Sequence, residues 1–458
     1  MLALALLGCG EPPCGADVPA SHGGGPGEGG NVLVVVLDDV GVEQLGPWGL
    51  APTPARTPTI DCLCERGLRF TQAYASPSCS PTRAEYLTGN YNRRTGVGTI
   101  FTPADRTFEL STAWDTLPQV AARAGYATGL FGKWHLAEPT APDAATHPNR
   151  SGFDRFAGSL ANLNTTSGGH LGGYGYGLWE RIVDGVADDT AVYPTTATVD
   201  DALSFVDEVG EQPWLVVLSF HAPHVPLHWP PAHLRGPQPM EVDFDERRYM
   251  AMLEAVDTEL GRFLRTLPDA VRADTHVIVF GDNGTPGEVI PEPLPPIGKT
   301  TLHELGVRVP IVVSGPAVEQ PGSVSDALVH VVDILPTVAE RLGVEHEAVD
   351  GRSWGPLFLD AGAAVHDHVA SARFFPLGEG EPDSIDKMIR SATHKLEVHS
   401  EDGEHLSEVG PGSLREGPNL LEGPLTEAEE AQLAGLRAAM QALDDSVEAG
   451  WPEPSAAP

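Results

Sequence analysis

The sequence predicts an α/β protein. A large, mainly parallel sheet sandwiched by helices is expected over residues 31–370, with a smaller α+β subdomain over 371–458. Three observations predict it. The apolar runs at 31–37, 126–131, 214–220 and 276–280 are continuous instead of alternating, as in strands covered on both faces. Segments with a helical apolar stripe lie between them, the strand–helix alternation that builds parallel sheets. After about residue 370 the order changes to short strand-like pieces and one long Ala/Leu/Glu helix.

The elements can be justified in chain order. Residues 1–8 form an apolar stretch too short to cross a bilayer. Leu6-Leu7-Gly8-Cys9 resembles the lipobox of a bacterial lipoprotein signal, with Cys9 as the lipidated residue, although the basic n-region is missing. Residues 11–30 are rich in Gly and Pro and read as a flexible tether. Residues 1–30 are therefore expected to be a signal and linker that place the protein outside the cytoplasm, in the periplasm or at the cell surface. Lys+Arg total 28 against 64 Asp+Glu, a net charge of −36, which argues against nucleic acid and anionic lipid as partners. Any membrane attachment then runs through a lipid anchor on Cys9. Of the five cysteines, Cys14 is available to bridge Cys62 or Cys64, with free thiols as the alternative. A zinc site lacks a second Cys/His pair at suitable spacing.

The strand at 31–37 ends in Asp38-Asp39-Val40-Gly41. Adjacent carboxylates at the end of a buried strand are costly unless a cation compensates them. A short helix over 57–67 and extended chain at 68–71 lead to Ser78-Cys79-Ser80-Pro81-Thr82-Arg83. Pro81 suits a first helical turn, so Cys79 stands at a helix N-terminus, where free N–H groups favour an anion. Arg83, one turn on, lies on the same side and can fork onto an oxyanion or hold Cys79. A helix over 116–125 and the strand at 126–131 deliver Gly132-Lys133-Trp134-His135, with Lys133 and His135 on one side if extended. Residues 158–177 read as a substrate-facing loop. The strand at 214–220, preceded by a helix over 200–209, leads into His221-Ala222-Pro223-His224. The strand at 276–280, preceded by a helix over 250–267, leads into Gly281-Asp282-Asn283-Gly284. Lys299 opens a segment that ends at Pro310, before a strand at 311–313 and a helix over 333–342. Beyond these, 387–390 and 394–398 read as short antiparallel strands and 426–443 as a helix.

Four polar clusters thus follow buried strands directly. In an open parallel sheet the strand carboxyl ends share one edge, and ligands bind outside it. One site is expected, with hard oxygen donors from Asp38, Asp39, Asp282 and Asn283, which suit Ca²⁺ or Mg²⁺. Arg83, Lys133 and Lys299 add positive charge, and His135 and His224 can move protons near neutrality. Such a set serves in-line transfer at a sulfuryl or phosphoryl centre, where charge develops on peripheral and leaving oxygens.

The same residues carry a resemblance. C-x-P-x-R followed by A-x-x-L-T-G, the strand-D-D-x-G element, G-K-W-H-L, H-x-P-H-x-P, G-D-N-G and K-x-T-x-x-E-x-G-x-R-V-P resemble, in order, the motifs of the sulfatases, within the alkaline phosphatase superfamily. The likeness runs from about Asn31 to Leu342 and weakly through residues 411–420; Thr82 keeps the hydroxyl of the usual Ser. It implies an alkaline phosphatase-like fold and hydrolysis of a sulfate ester, on a small molecule or a glycan, to alcohol and inorganic sulfate. It also implies that a maturation enzyme converts Cys79 to formylglycine, whose hydrate is the nucleophile. Asp38, Asp39, Asp282, Asn283 and the modified Cys79 would bind the metal, Ca²⁺ or Mg²⁺. Arg83 would orient the nucleophile, Lys133 and Lys299 would hold sulfate oxygens, His224 with Lys299 would assist the leaving oxygen, and His135 would be the base. His221 receives no role and is expected to back the site or fill the core. The rival readings are a phosphonate or phosphodiester hydrolase on the same fold, and a surface-anchored binding protein without catalysis.

Overall fold

Alternate residues of the first strand enter two different cores. In strand β1 (Asn31–Leu37), Val32, Val34 and Val36 join one apolar cluster, and Leu33, Val35 and Leu37 join another. Helices Cys79–Thr88, Leu117–Arg123 and Ile334–Leu342 close the first cluster; helices Pro58–Arg66, Pro194–Val209 and Phe244–Thr266 close the second. A run without polar alternation has no face to give to water, and the sandwich follows. The computed structural model describes residues 29–101, 108–163, 175–375, 377–378 and 382–448. The lipobox, Cys14 and most of the tether lie outside the described residues, as does the middle of the loop expected over 158–177.

The large sheet also contains β2 (Leu68–Tyr74), β3 (Ala127–Lys133), β4 (Arg155–Ser159), β5 (Trp179–Val183), β6 (Val186–Thr190), β7 (Trp214–Ser219), β8 (Thr275–Gly281), β9 (Ile311–Ser314) and β10 (Ser323–His330). Their order is β10-β2-β9-β8-β1-β7-β3-β4-β5-β6. Strands β8, β1, β7 and β3 run parallel, as expected, and β4, which the sequence did not mark as a strand and which takes the first two residues of the expected loop, joins them in parallel. The sheet is nevertheless mixed, because β9 is antiparallel to both β8 and β2, and β5 is antiparallel to β4 and β6. The reversal at β9 matters for function. Ile311, at its start, pairs with Phe280, near the end of β8, so the chain arriving from Lys299 passes along the edge where β8 and β1 finish.

A second, antiparallel sheet has the order β11-β12-β13-β14, from β11 (Val369–Phe375), β12 (Ser384–Arg390), β13 (His394–His399) and β14 (Gly403–Glu408). Leu433, Leu436 and Met440 of the helix Glu427–Glu448 cover Ile389, Leu396 and Leu406 on it. Buried charges tie this sheet to the segment that carries Lys299. Glu304 pairs with Arg390 at 3.1 Å and Arg308 at 3.5 Å, while Lys395 reaches Glu416 at 2.6 Å. Cys62 is disulfide-bonded; Cys64 and Cys79 are free, which sets aside the bridge considered for Cys64. No helix among the described residues is long and apolar enough to cross a membrane.

Candidate active site

The register of the central strands brings the polar clusters to one level. Leu37 pairs with Gly281, Val36 with Ser219, and Gly132 with Ser219, so Asp38, Asp282, Lys133 and His221 leave the sheet together. All four are buried. Cys79 is the first residue of its helix, and it is fully buried too. Its Sγ lies 3.6 Å from Asp38 Oδ1 and 3.4 Å from Lys299 Nζ. Ligand atoms of Asp38, Asp39, Cys79 and His224 all lie within 4.8 Å of one another.

Asp282 is not a member of this group but is bonded to it. Its Oδ1 accepts from the Asp39 backbone N–H at 3.0 Å and its Oδ2 from Arg83 Nη2 at 2.8 Å. The same Nη2 is 3.8 Å from Asp38 Oδ2, so one guanidinium brackets both carboxylates. Arg83 Nη1 donates to the Lys133 carbonyl at 2.9 Å and to Ser219 Oγ at 2.6 Å. Lys133 Nζ reaches Asp38 Oδ2 at 2.6 Å, and Lys299 Nζ donates to Asp39 Oδ1. Asn283 Nδ2 donates to the same Asp39 oxygen at 2.9 Å. Asp39, His135 and Thr300 adopt positive φ, 67°, 64° and 72°, a conformation that costs energy in non-glycine residues and persists where surroundings enforce it. Tyr249 OH, donating to the Asp39 carbonyl at 2.6 Å, and the Thr300 N–H, donating to the Pro77 carbonyl at 2.7 Å, supply part of that enforcement.

The electrostatics follow from burial and from this mixture of charges. Burial pushes the Cys79 thiol up to about 12, against the pull of Lys133 and Lys299. Burial and then Asp38 push Asp282 up to about 6, with Arg83 opposing. Asp39 goes the other way: burial would raise it, but Lys299, His224 and Lys133 together hold it well below the usual carboxylate range. Burial, with Lys133 and Arg83 next, drives His135 far below its ordinary value; burial takes His224 down to about 3 although Asp39 opposes. Both imidazoles are neutral at pH 7. His224 Nδ1 sits 2.8 Å from the Val225 carbonyl, which can only accept, so Nδ1 carries the proton. Its Nε2, 3.8 Å from Asp39 Oδ2, therefore turns a lone pair toward the carboxylates.

The structure thus gathers Asp38, Asp39, Cys79, Arg83, Lys133, His224, Asp282, Asn283 and Lys299 by direct contact. His135 lies close enough to feel Lys133, Arg83 and Lys299, and its Nδ1 is buried without a hydrogen-bond partner. His221 stands behind, with Nε2 on Ser159 Oγ at 2.6 Å and its ring on Trp179 at 5.9 Å. Sequence reasoning missed Ser219, Tyr176 and Tyr249. Ser219 carried a signal, a polar residue closing an apolar strand.

The donor set fits a divalent cation. Asp38 and Asp39 offer hard oxygens, and Asn283 Oδ1 is buried with no hydrogen-bond partner, an acceptor still to be satisfied. The other comparable group among the described residues, His303, Glu397 and Glu416, already surrounds Lys395 Nζ, 2.6 Å from Glu416 and 2.9 Å from Glu397.

A family model described as Sulfatase matches residues 30–344. The chain is 29% identical to arylsulfatase J of Mus musculus over 323 residues, covering 67% of this chain and 52% of that protein. It is 28% identical to N-acetylgalactosamine-6-sulfatase of Homo sapiens over 369 residues, covering 72% and 66%. The chain therefore spans between about half and two thirds of the length of these relatives. Among solved structures it is similar to Ps i-CgsB, seen in complex with k-i-k-neocarrahexaose, with a TM-score of 0.75 at 24% identity, covering 90% of this chain and 92% of that one. A phosphonate monoester hydrolase from Silicibacter pomeroyi gives a TM-score of 0.67 at 20% identity, covering 92% and 96%. At these identities the likeness shows a shared fold.

Proposed function

The chain belongs to the sulfatase family, and from that premise we propose that it hydrolyses a sulfate ester to an alcohol and inorganic sulfate, with residue 79 acting as formylglycine. The observation that carries the reading is the seat of Cys79 at a helix N-terminus, beside Asp38 and Lys299 and in one cluster with Asp39 and His224. The state of the thiol supports the conversion. Held at about 12, it offers roughly one thiolate in 10⁵ at pH 7, a weak nucleophile, whereas an aldehyde hydrate brings hydroxyl groups to the same place.

Asp38, Asp39, Asp282, Asn283 and residue 79 would hold a Ca²⁺ or Mg²⁺ ion. Such an ion would polarise the sulfate group and stabilise charge on its oxygens. The remaining work falls to the chain itself. Lys133 and Lys299 present ammonium groups to the peripheral oxygens of the ester. Arg83 fixes Asp282 and, through Ser219 and the Lys133 carbonyl, the level of the whole edge. Lys299, whose proton Asp39 retains strongly against burial, can donate toward the leaving oxygen, with His224 assisting once protonated. His135, neutral and with a free ring nitrogen, can accept the proton whose removal releases sulfate. The substrate we propose is a sulfated glycan or small molecule; the sugar-bound Ps i-CgsB supports the glycan. Residues 1–30 remain our proposal for an extracytoplasmic signal, lipid anchor and tether, and a formylglycine-generating enzyme is the partner that the mechanism calls for.

Intact-mass analysis of active protein will show residue 79 about 18 Da lighter than cysteine, as a covalent conversion to the aldehyde requires. Turnover of an aryl sulfate will exceed that of an aryl phosphonate ester, the outcome that separates this reading from a phosphonate hydrolase. Cys79→Ala will fold and be inactive. Full activity from protein whose residue 79 is still a thiol overturns the mechanism.

A further inference from the structure

Trp134, Trp179, Trp214 and Trp354 are essentially buried, whereas Trp229 is 37% exposed and stands against Phe244, itself 47% exposed. The two rings meet edge to face at 6.0 Å. Arg235 lies over the indole at 5.0 Å, and Arg248 and Arg247 lie over the phenyl ring at 4.1 and 5.6 Å. Cation–π contacts on both rings brace the pair before any ligand arrives. A surface that is rigid in advance loses little entropy on binding, and exposed aromatic area of this kind marks a contact site.

The shelf is joined to the active site from two directions. Trp229 follows His224 by five residues, a reach of at most about 18 Å of extended chain. Between them His228 stacks on Tyr176 at 4.2 Å, and the Tyr176 hydroxyl donates to the carbonyls of His221 and His224 at 2.7 and 2.8 Å. Phe244 opens the helix whose Tyr249 holds the Asp39 carbonyl, a rise of about 7.5 Å along the axis.

Its charge pattern selects the occupant. The exposed carboxylates Glu241, Asp243 and Asp245 flank Phe244 in the chain and offset the three guanidiniums that lie on the rings, so the shelf has no surplus of positive charge on a chain of net charge −36. Arg248 is paired with Asp245 at 3.4 Å and Arg235 Nε donates to the Pro230 carbonyl at 3.2 Å. A second sulfate or a uronate finds no surplus of positive charge to hold it here; an uncharged ring with hydroxyl groups needs none. We infer that Trp229 and Phe244 form a subsite for a neutral sugar ring, the one next to the sugar that carries the scissile sulfate. Its place in catalysis rests on the sulfate-ester reading above.

The test uses the full chain carrying Cys79→Ala, titrated by calorimetry with a panel of neutral tri- to hexasaccharides of galactan, glucan, mannan and chitin type. At least one will bind, and its affinity will fall about tenfold or more in Trp229→Ala and Phe244→Ala, as loss of an aromatic contact predicts, while Trp229→Tyr keeps most of it. With residue 79 intact and matured, the same shelf variants will hydrolyse a small aryl sulfate within about twofold of the parent, since that substrate does not extend to the shelf. Failure of every neutral oligosaccharide to bind, unchanged affinity in Trp229→Ala, or a parallel loss on the aryl sulfate each overturns the subsite. A matured parent protein without aryl sulfate turnover overturns the activity reading instead, and the binding arm still decides the shelf.

Discussion

Arg83→Met removes the guanidinium that brackets Asp38 and Asp282, and its cost can be worked from the contacts. Arg83 is 1% exposed, and breaking a buried ion pair typically costs ~3–5 kcal/mol. Here the loss is cushioned. Ser219 Oγ and the Lys133 carbonyl, two of its acceptors, are already bonded to each other at 2.6 Å. Asp282 also has an exit, because it can take up a proton. Already raised to about 6 by burial and Asp38, it would rise further without Arg83. For an acid raised in the folded state, the native form keeps a proton that the unfolded chain releases, so stability is lost as pH climbs toward the folded value. Below about pH 6 parent and variant both hold the proton, and Asp282 adds no difference. Above it the parent releases the proton while the variant still holds it, so the variant alone goes on losing stability, at up to ~1.4 kcal/mol per pH unit, until its own further-raised Asp282 ionises. Urea unfolding at pH 5, 6, 7 and 8, with chelator present, measures this directly. In Arg83→Met combined with Asp282→Asn the pH-dependent part will vanish. A penalty that does not change with pH, or a slope that survives Asp282→Asn, refutes the reasoning.

Three further outcomes are expected. Asp38→Asn and Asp282→Asn will each weaken Ca²⁺ or Mg²⁺ binding by about tenfold or more in calorimetry, with the circular dichroism spectrum intact, and unchanged affinity removes that residue from the ligand set. Burial pushes Glu85 up to about 8 despite donors from Ser76 at 2.8 Å and Asn92 at 3.0 Å, so this group erodes stability as pH rises from its unfolded value to about 8. Glu85→Gln keeps the acceptor and will flatten that decline in urea midpoints; an unaltered slope counts against the assignment. Cys9→Ser will move the native protein from the membrane fraction to the soluble one, and soluble parent protein with residues 1–8 still attached excludes the lipid anchor.

The strands that could be read were those with no wet face. β1, β7 and β8 announce themselves because each carries an unbroken apolar run, Val32 to Leu37, Trp214 to Leu218 and Val277 to Phe280, and the chemistry that follows each one could be placed on a shared edge. β10, with Ser, Asp and His among its residues and a register shift between Ser325 and Leu328, lies at the sheet margin and has no such signature. β6 is almost wholly exposed and polar. The direction of β9 was equally hidden, since an apolar tetrapeptide does not encode which neighbours it will meet. Within the site, the charged groups and the C-x-P-x-R motif around Cys79 were legible from residue type and position. Tyr249 was not, because a tyrosine on an apolar helical stripe reads as core until its hydroxyl is found on the Asp39 carbonyl. The tautomer of His224 depends on one carbonyl, and no spacing rule reports that.

The complete burial of Cys79 fixes when its chemistry can be changed. Residues 78–83 are all enclosed, so no enzyme can grip this stretch in the finished protein. The walls of the enclosure, however, are made late. Asp282 and Lys299 lie more than 200 residues downstream, which at about 5–20 residues per second takes roughly 10–40 s to synthesise. Until then residue 79 belongs to a nascent chain whose central strand β8 does not exist. The conversion we propose at that position would therefore be a race between an oxidant and chain synthesis, and a cysteine that lost the race would be sealed in. Slowing synthesis or export downstream of residue 79 should raise the converted fraction, and faster closure of the sheet should lower it, in molecules of identical sequence.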